Sequence, residues 1–408
     1  MTSATMPEPS GAPAALERSP VPGISRNVFV LGLVSLCTDV SSEMVYPLIP
    51  IFLTSVLAAP ASVVGLVEGV AEATASLLRV FFGLFSDRLG RRKPFVYAGY
   101  GLSACSKPLI ALASVWPLVL FARFADRFGK GVRTPARDAL IAESSRPETR
   151  GRAFGFHRSL DTLGAVFGPL LAFAALGALG GDLRIVFVLA FIPGIASLFL
   201  VRLARETGQG SAAKSAASRP HFTPSRGFLI FVGVSMLFAL GNSSDAFLVL
   251  RAGTLGLGTQ QVVLAYMLFN ATYALLSTPA GIISDRLGRR DVIAVGMLIF
   301  AVVYSGFGLA SSSLYVWGLF AVYGAYMAMT EGVGKALISD FAPAETRATA
   351  LGFYYTAMGG MALLSSLLAG QLWDRVGPSA PFLLGGVTAT LAAILLLLLL
   401  PRMNHVQR

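Results

Sequence analysis

Asp39 and Glu43 lie four residues apart in an otherwise apolar run, so on a helix their carboxylates share one face. Two like charges held that close in a low dielectric do not both ionise cheaply, and one of them is expected to hold a proton unless cations intervene. Cations are available. Arg123, Arg127, Lys130 and Arg137 follow spacings of 4, 3 and 7, a single helical stripe, with Arg133 at its edge. The stripe has three candidate duties: neutralising Asp39 and Glu43, contacting Asp126 or Asp138, or binding an anionic substrate bidentately. His157 and Asp161 are again one turn apart, and an imidazole beside a carboxylate can titrate near physiological pH, whereas Arg158 points about a quarter-turn away. Glu68 and Glu72 share a face with Arg79; Glu68 lies near enough to the end of its run to snorkel, and Glu72 does not. Asp39, Glu43, Glu72, His157 and Asp161 are therefore the proton-coupling candidates.

This inventory suits a buried ion network better than catalysis. No serine or cysteine nucleophile stands at a suggestive position near His157 and Asp161, no His-Glu-x-x-His pattern occurs, and two of the three histidines, His221 and His405, fall in loops or tails. No enzyme activity, metal or cofactor is expected. Cys37 and Cys105 read as small packing residues rather than a disulfide.

The elements that position these groups are membrane helices. The chain has 408 residues, 55% hydrophobic and 13% charged, a balance that fits a bilayer rather than water. A spanning helix needs roughly 20 mostly apolar residues. Twelve such stretches are legible, at 27–57, 62–86, 94–114, 116–143, 152–177, 184–203, 227–250, 261–284, 292–311, 314–341, 350–373 and 380–400. The net charge of +11 does not mark a nucleic-acid binder, because position decides its meaning. Outside the spans, only Arg184, Arg251 and Arg375 fall in odd-to-even loops, and the remaining basic residues crowd the opposite side. That asymmetry predicts an inner-membrane protein with both termini cytoplasmic. Residues 1–25 read as a disordered cytoplasmic tail, and 402–408 as a second one.

The chain also repeats itself. Ser86-Asp-Arg-Leu-Gly-Arg-Arg92 recurs identically as Ser284-Asp-Arg-Leu-Gly-Arg-Arg290, 198 residues later. Similar spacing aligns Glu72-Ala-Thr74 with Asn270-Ala-Thr272 and Ser41-Ser-Glu43 with Ser243-Ser-Asp245. Each copy holds six spans, an even number, so the halves at 26–204 and 227–401 are parallel repeats joined by a flexible linker at 205–226. The fold class expected is an all-α membrane protein of twelve transmembrane helices in two six-helix parallel repeats. Charge is unequal between the halves: within its spans the first balances eight cations against eight acids, whereas the second keeps Asp245, Glu331 and Lys335. The first half thus reads as the coupling half. The second, with Phe238, Asn242, Tyr266, Phe269, Tyr323, Tyr326 and Tyr354, reads as an amphipathic binding wall.

Gly83-Leu-Phe-Ser-Asp87-Arg88-Leu-Gly90-Arg91-Arg92-Lys93 resembles motif A of the major facilitator superfamily, and Gly281 to Arg290 resembles its second-half copy. Gly164-Ala-Val-Phe-Gly168-Pro169 resembles the antiporter motif C, without the paired glycines that usually follow. In helix 4, Arg127 and Gly131 match motif B, while Lys130 and Arg133 depart from it. The resemblance covers the chain after the amino tail and points to a poorly characterised prokaryotic branch. It implies the major facilitator fold, with helices 3, 6, 9 and 12 outermost and helices 1, 4, 7 and 10 lining a central cavity. It also implies that Gly83, Asp87, Arg88, Gly90 and Arg91, with Asp285 and Arg286, form a gate whose Asp locks the halves together when the transporter faces outward. A monomer that exchanges a small molecule against protons is the expectation. Motif C tips direction toward efflux of a drug or metabolite, with uptake of an organic anion or metal chelate as the alternative.

Overall fold

Residues 20–89, 91–146, 149–206, 222–343 and 346–401 are described by a computed structural model. Among them run twelve helices: α1 (Arg26–Val56), α2 (Ala61–Leu89), α3 (Lys93–Ala111), α4 (Trp116–Glu143), α5 (Arg150–Ala178) and α6 (Leu183–Leu203), then α7 (Arg226–Thr254), α8 (Thr259–Leu287), α9 (Arg289–Leu309), α10 (Leu314–Asp340), α11 (Arg347–Arg375) and α12 (Ala380–Leu399). Nine of these described helices are long and apolar enough to cross a membrane. The other three are α3, α4 and α10; in α4 the charged stripe lowers the hydropathy. The amino tail before residue 20, Gly90, His221, most of the linker and the stretch after 401, with His405, lie outside the described residues.

Two helices depart from regularity. In α1, Pro47 and Pro50 remove amide donors, and the chain passes through a 3₁₀ turn at Tyr46–Leu48 and a wide turn at Phe52–Val56. The span read at 227–250 is not one helix. It runs from Arg226 to Gly241, breaks over Asn242-Ser-Ser-Asp245, and resumes as Ala246–Thr254. Asn, Ser and Asp side chains compete with the helix for backbone partners, which explains the break. The opened backbone is resatisfied from neighbouring helices: Ser365 Oγ donates to the Asn242 carbonyl at 3.3 Å and the Tyr304 hydroxyl to that of Ser243 at 3.4 Å.

Packing sorts the helices by exposure. α3 and α6 pack within the first group, and α9 and α12 within the second. Their outward faces show Ile192 and Phe199, Val302 and Leu398 to the surroundings, as lipid contact requires. The two six-helix groups meet along α2 and α11, which run antiparallel, along α5 and α8, and where α1 meets the second part of α7. The seam is closed on the face remote from the basic turns, hereafter the far face. There Gln260 Nε2 donates to the Phe173 carbonyl at 3.4 Å, and a Cβ on Gly65 would strike the Ser366 carbonyl. Contacts persist toward the other, basic face as far as Arg79, whose guanidinium lies 5.4 Å from the Tyr355 ring. Beyond that level, a side chain begun at Gly151 or Gly155 of α5, or at Gly281 of α8, would meet nothing within 4 Å. There is open space beside these positions on the basic face.

Candidate functional site

The stripe on α4 does not act as a unit, because its members turn to different neighbours. Arg123 grips Glu68 of α2 with two parallel bonds, Nε to Oε1 at 3.0 Å and Nη2 to Oε2 at 2.6 Å. Both side chains are almost fully buried, at 4% and 1% exposed, so the expectation that Glu68 snorkels is corrected: its charge is taken up by a guanidinium at bilayer depth. Arg127 reaches Glu72 at 3.3 Å. Asp126, on the next face of α4, accepts from Lys107 of α3 at 2.7 Å and from Arg123 at 3.5 Å. Arg133 turns to α3, donating to Ser103 Oγ with its guanidinium 4.6 Å from the Tyr100 ring centroid. Arg137 pairs with its neighbour Asp138 at 2.8 Å. Tyr46 lies beneath Arg123 and Arg127, at 5.4 and 5.9 Å from its ring centroid.

That leaves Lys130, which faces the acids of α1 across a small cavity. Together with Asp39, Glu43, Lys107, Arg123, Asp126, Arg127 and Arg133, it lines a cavity of about 30 Å³ between α1, α3 and α4, space for about one water. Asp39 and Glu43 then diverge. Asp39 faces α5 beside Gly164, one turn from Asp161, whereas Glu43 accepts from the hydroxyl of Tyr266 on α8, across the seam, at 3.0 Å.

Two small residues make this approach feasible. A Cβ on Gly164 would lie 2.7 Å from Asp39 Cβ, and one on Gly168 2.6 Å from Glu43 Cβ. The motif C resemblance thus has a structural content: α5 carries no side chain where α1 carries its acids. Pro169 follows, buried within α5.

The expected pairing of His157 with Asp161 is not made. Asp161 accepts from Ser35 at 2.8 Å and from Arg158 at 2.9 Å, so Arg158, read as pointing away, is the partner. His157 is 5% exposed, and its Nε2 has no hydrogen-bond partner. At the basic turns, Arg91 is exposed, Gly83 packs on Pro135, and the side chains of Asp87 and Arg88, like Gly90, lie outside the described residues. Asp285 does not meet the opposite half here. Its carboxylate is 3.7 Å from Arg289, at the start of α9 in the same half, and 64% exposed; Arg286 is exposed beside it.

The second half holds a larger cavity, about 350 Å³, walled by Phe231, Phe238, Asn242, Tyr326, Tyr354 and Tyr355, with Glu331 and Lys335 from α10 and Glu72 from across the seam. Such a volume suits a small molecule. Asn242 donates to the Tyr326 hydroxyl at 3.0 Å, and Glu331 lies 3.8 Å from Lys335 and 3.5 Å from the Tyr273 hydroxyl. Tyr266, Phe269 and Tyr323, read as part of the same wall, do not line it. They pack behind it as an aromatic chain, and Tyr323 donates to Asp245, at the α7 break, at 2.7 Å.

Comparison with known proteins agrees with this architecture. The Major Facilitator Superfamily matches residues 31–250 and 227–408. The chain belongs to that superfamily. An uncharacterized MFS-type transporter of Methanocaldococcus jannaschii is 35% identical over 380 residues, covering 92% of this chain and 95% of the relative. The multidrug resistance protein MdtH of Photorhabdus laumondii is 34% identical over 128 residues, only 31% of this chain and 32% of that one. Among solved structures, a D-xylose–proton symporter shares the fold with a TM-score of 0.75 at 19% identity, over 92% of this chain and 97% of that one. The chain is therefore a multi-pass membrane protein of a transporter superfamily.

Proposed function

We propose that this protein is a secondary transporter that works by alternating access and expels a small molecule against protons, with its basic face in the cytoplasm of a prokaryotic inner membrane. The observation that carries the reading is the bond from Tyr266 to Glu43. There an acid of the charged half is hydrogen-bonded to a tyrosine of the aromatic half across the seam. A carboxylate accepts a stronger bond from the tyrosine than a neutral carboxyl does, so protonating Glu43 loosens one contact between the halves. Asp39, facing α5 beside Gly164, and Asp161, one turn along that helix, supply a second acid site: two neighbouring carboxyl groups share a hydrogen bond only when one carries a proton. Protonation in this cluster thus changes the relative stability of the two states, which ion coupling requires.

The 350 Å³ cavity seats the transported molecule, with Phe238, Tyr326 and Tyr354 as its apolar surface and Glu331 and Lys335 as its polar ends. The motif C-like run and the partial likeness to a multidrug resistance protein favour efflux. Susceptibility of deletion and overexpressing strains to a panel of antibiotics and dyes identifies a compound. Its pH-driven flux is then measured in proteoliposomes. Wild-type protein should accumulate it against an imposed proton gradient, and Glu43→Gln should abolish accumulation while exchange of labelled for unlabelled compound survives. Accumulation by Glu43→Gln equal to wild type would remove Glu43 from coupling.

A further inference from the structure

Helix α2 starts without a cap of its own. The residues before it, Leu57-Ala-Ala-Pro60, offer no side-chain acceptor, although the first amides of a helix need partners. Three other helices here carry a local cap, and α3 takes one from Glu206, which accepts from Arg92 N and Lys93 N within the same half. Ser25 accepts from Val28 N ahead of α1, Ser225 from Phe228 N ahead of α7, and Asp182 from Arg184 N ahead of α6. For α2 the cap comes from the other half. Asp374, at the far end of α11, accepts from Ala61 N at 3.0 Å through one carboxylate oxygen and from Ser62 N at 2.9 Å through the other. A carboxylate at a helix amino terminus also meets the positive end of the helix dipole.

The sequence around Asp374 is familiar. Asp374-Arg-Val-Gly377 is one of four Asp-Arg-x-Gly runs; Asp126-Arg-Phe-Gly129 lies inside α4, and the other three, with Asp87-Arg-Leu-Gly90 and Asp285-Arg-Leu-Gly288, stand at helix ends. Gly377 ends α11 at φ +134°, as Gly288 ends α8 at φ +99°. The turns at Asp87 and Asp285 lie on the basic face and this one on the far face. Because α2 and α11 are antiparallel, the carboxyl end of each faces the amino end of the other. Asp374 caps α2, and Asp87 stands at the end of α2 opposite the start of α11. The helices also touch closely beneath the latch, where a Cβ on Gly370 would come within 2.6 Å of Ser62 Cα.

We propose that Asp374 is the far-face latch of the transport cycle, holding that face shut while the basic face is open and releasing α2 when the halves rock. The resemblance implies a lock at Asp87 when the basic face closes, so each face would have an aspartate lock at an end of the α2–α11 pair. A latch on each face would keep the two states close in free energy, so that a proton or a substrate can tip them. The inference rests on the alternating-access reading above, and not on the coupling ion or the cargo.

The test is the separation of spin labels at Val56 and Leu309, exposed far-face positions of opposite halves, in full-length protein with Cys37 and Cys105 replaced by alanine. Asp374→Ala should raise the ratio of far-face-open to far-face-closed molecules about tenfold. Asp374→Asn, which still offers a capping oxygen, should raise it less than about threefold. Pro60→Ser gives α2 a local cap that competes for the same amides, and should move the ratio in the same direction as Asp374→Ala. An open population that is present but equal in wild type, Asp374→Ala and Pro60→Ser would overturn the latch and leave alternating access standing. A single distance in every variant would overturn both.

Discussion

Glu68 and Arg123 set the sharpest energetic prediction, because the pair is buried, bidentate and contained within one half. With the carboxylate 1% and the guanidinium 4% exposed, neither charge has water to fall back on. Removing one partner of such a pair strands the other in a low dielectric, which typically costs about 3–5 kcal/mol, while replacing both with apolar side chains of similar volume is often close to neutral. Arg123 retains a weaker partner in Asp126 at 3.5 Å, which places Glu68→Leu toward the lower end, about 3 kcal/mol. Arg123→Leu leaves Glu68 without its bidentate partner and should cost about 4 kcal/mol. The double variant should lie within about 1.5 kcal/mol of wild type, giving a coupling energy of several kcal/mol in a double-mutant cycle. Reversible unfolding in mixed micelles, followed by far-ultraviolet circular dichroism, measures all four corners. Additive losses in the double variant, with coupling below about 0.5 kcal/mol, would refute the claim that the two charges exist for each other.

Three further outcomes follow from the same geometry. Gly168→Ala places a methyl 2.6 Å from Glu43 Cβ and 2.9 Å from the Val40 carbonyl, so it should destabilise the fold by about 1–3 kcal/mol, read in the same unfolding assay. His157→Asn should leave pH-driven flux within about twofold of wild type, whereas Asp161→Asn should reduce it at least tenfold; the flux assay with the panel compound separates them. Glu331→Gln breaks only a half-exposed pair at 3.8 Å, worth less than about 0.5 kcal/mol. Any large change it makes in substrate affinity, measured by fluorescence quenching, therefore reports contact with cargo rather than loss of fold.

Much of this architecture was legible beforehand. Periodicity and hydropathy located each of the twelve helices because bilayer thickness imposes a minimum apolar length on each of them. The repeated Ser-Asp-Arg-Leu-Gly-Arg-Arg turn fixed the pairing of the halves. The stripe on α4 was visible as a stripe, since helical spacing alone determines which residues share a face. Which acid each cation meets depends on the rotation and depth of α2 and α3 against α4, and that information is spread over many packing residues. Hence Glu68 was misread, and Arg158 lost its place to His157. The break in α7 did have a local signal in Gly241-Asn-Ser-Ser-Asp245, masked by the apolar stretches on both sides. Tyr46, under two arginines, carried none, because a tyrosine in a membrane helix is commonly a packing residue. Which face is open depends on the relative energies of two packings of one sequence.

The central claim, that protonation of the α1 acids biases those two packings, can be measured without knowing the cargo. Spin labels at Leu89 and Leu287, at the basic-face ends of α2 and α8 in a cysteine-free background, report how far that face is open. In wild-type protein the distance distribution should shift as pH is stepped from 5 to about 9, and in the Asp39→Asn/Glu43→Gln double variant it should stay fixed. A double variant whose distribution shifts with pH as the wild type does would contradict the account.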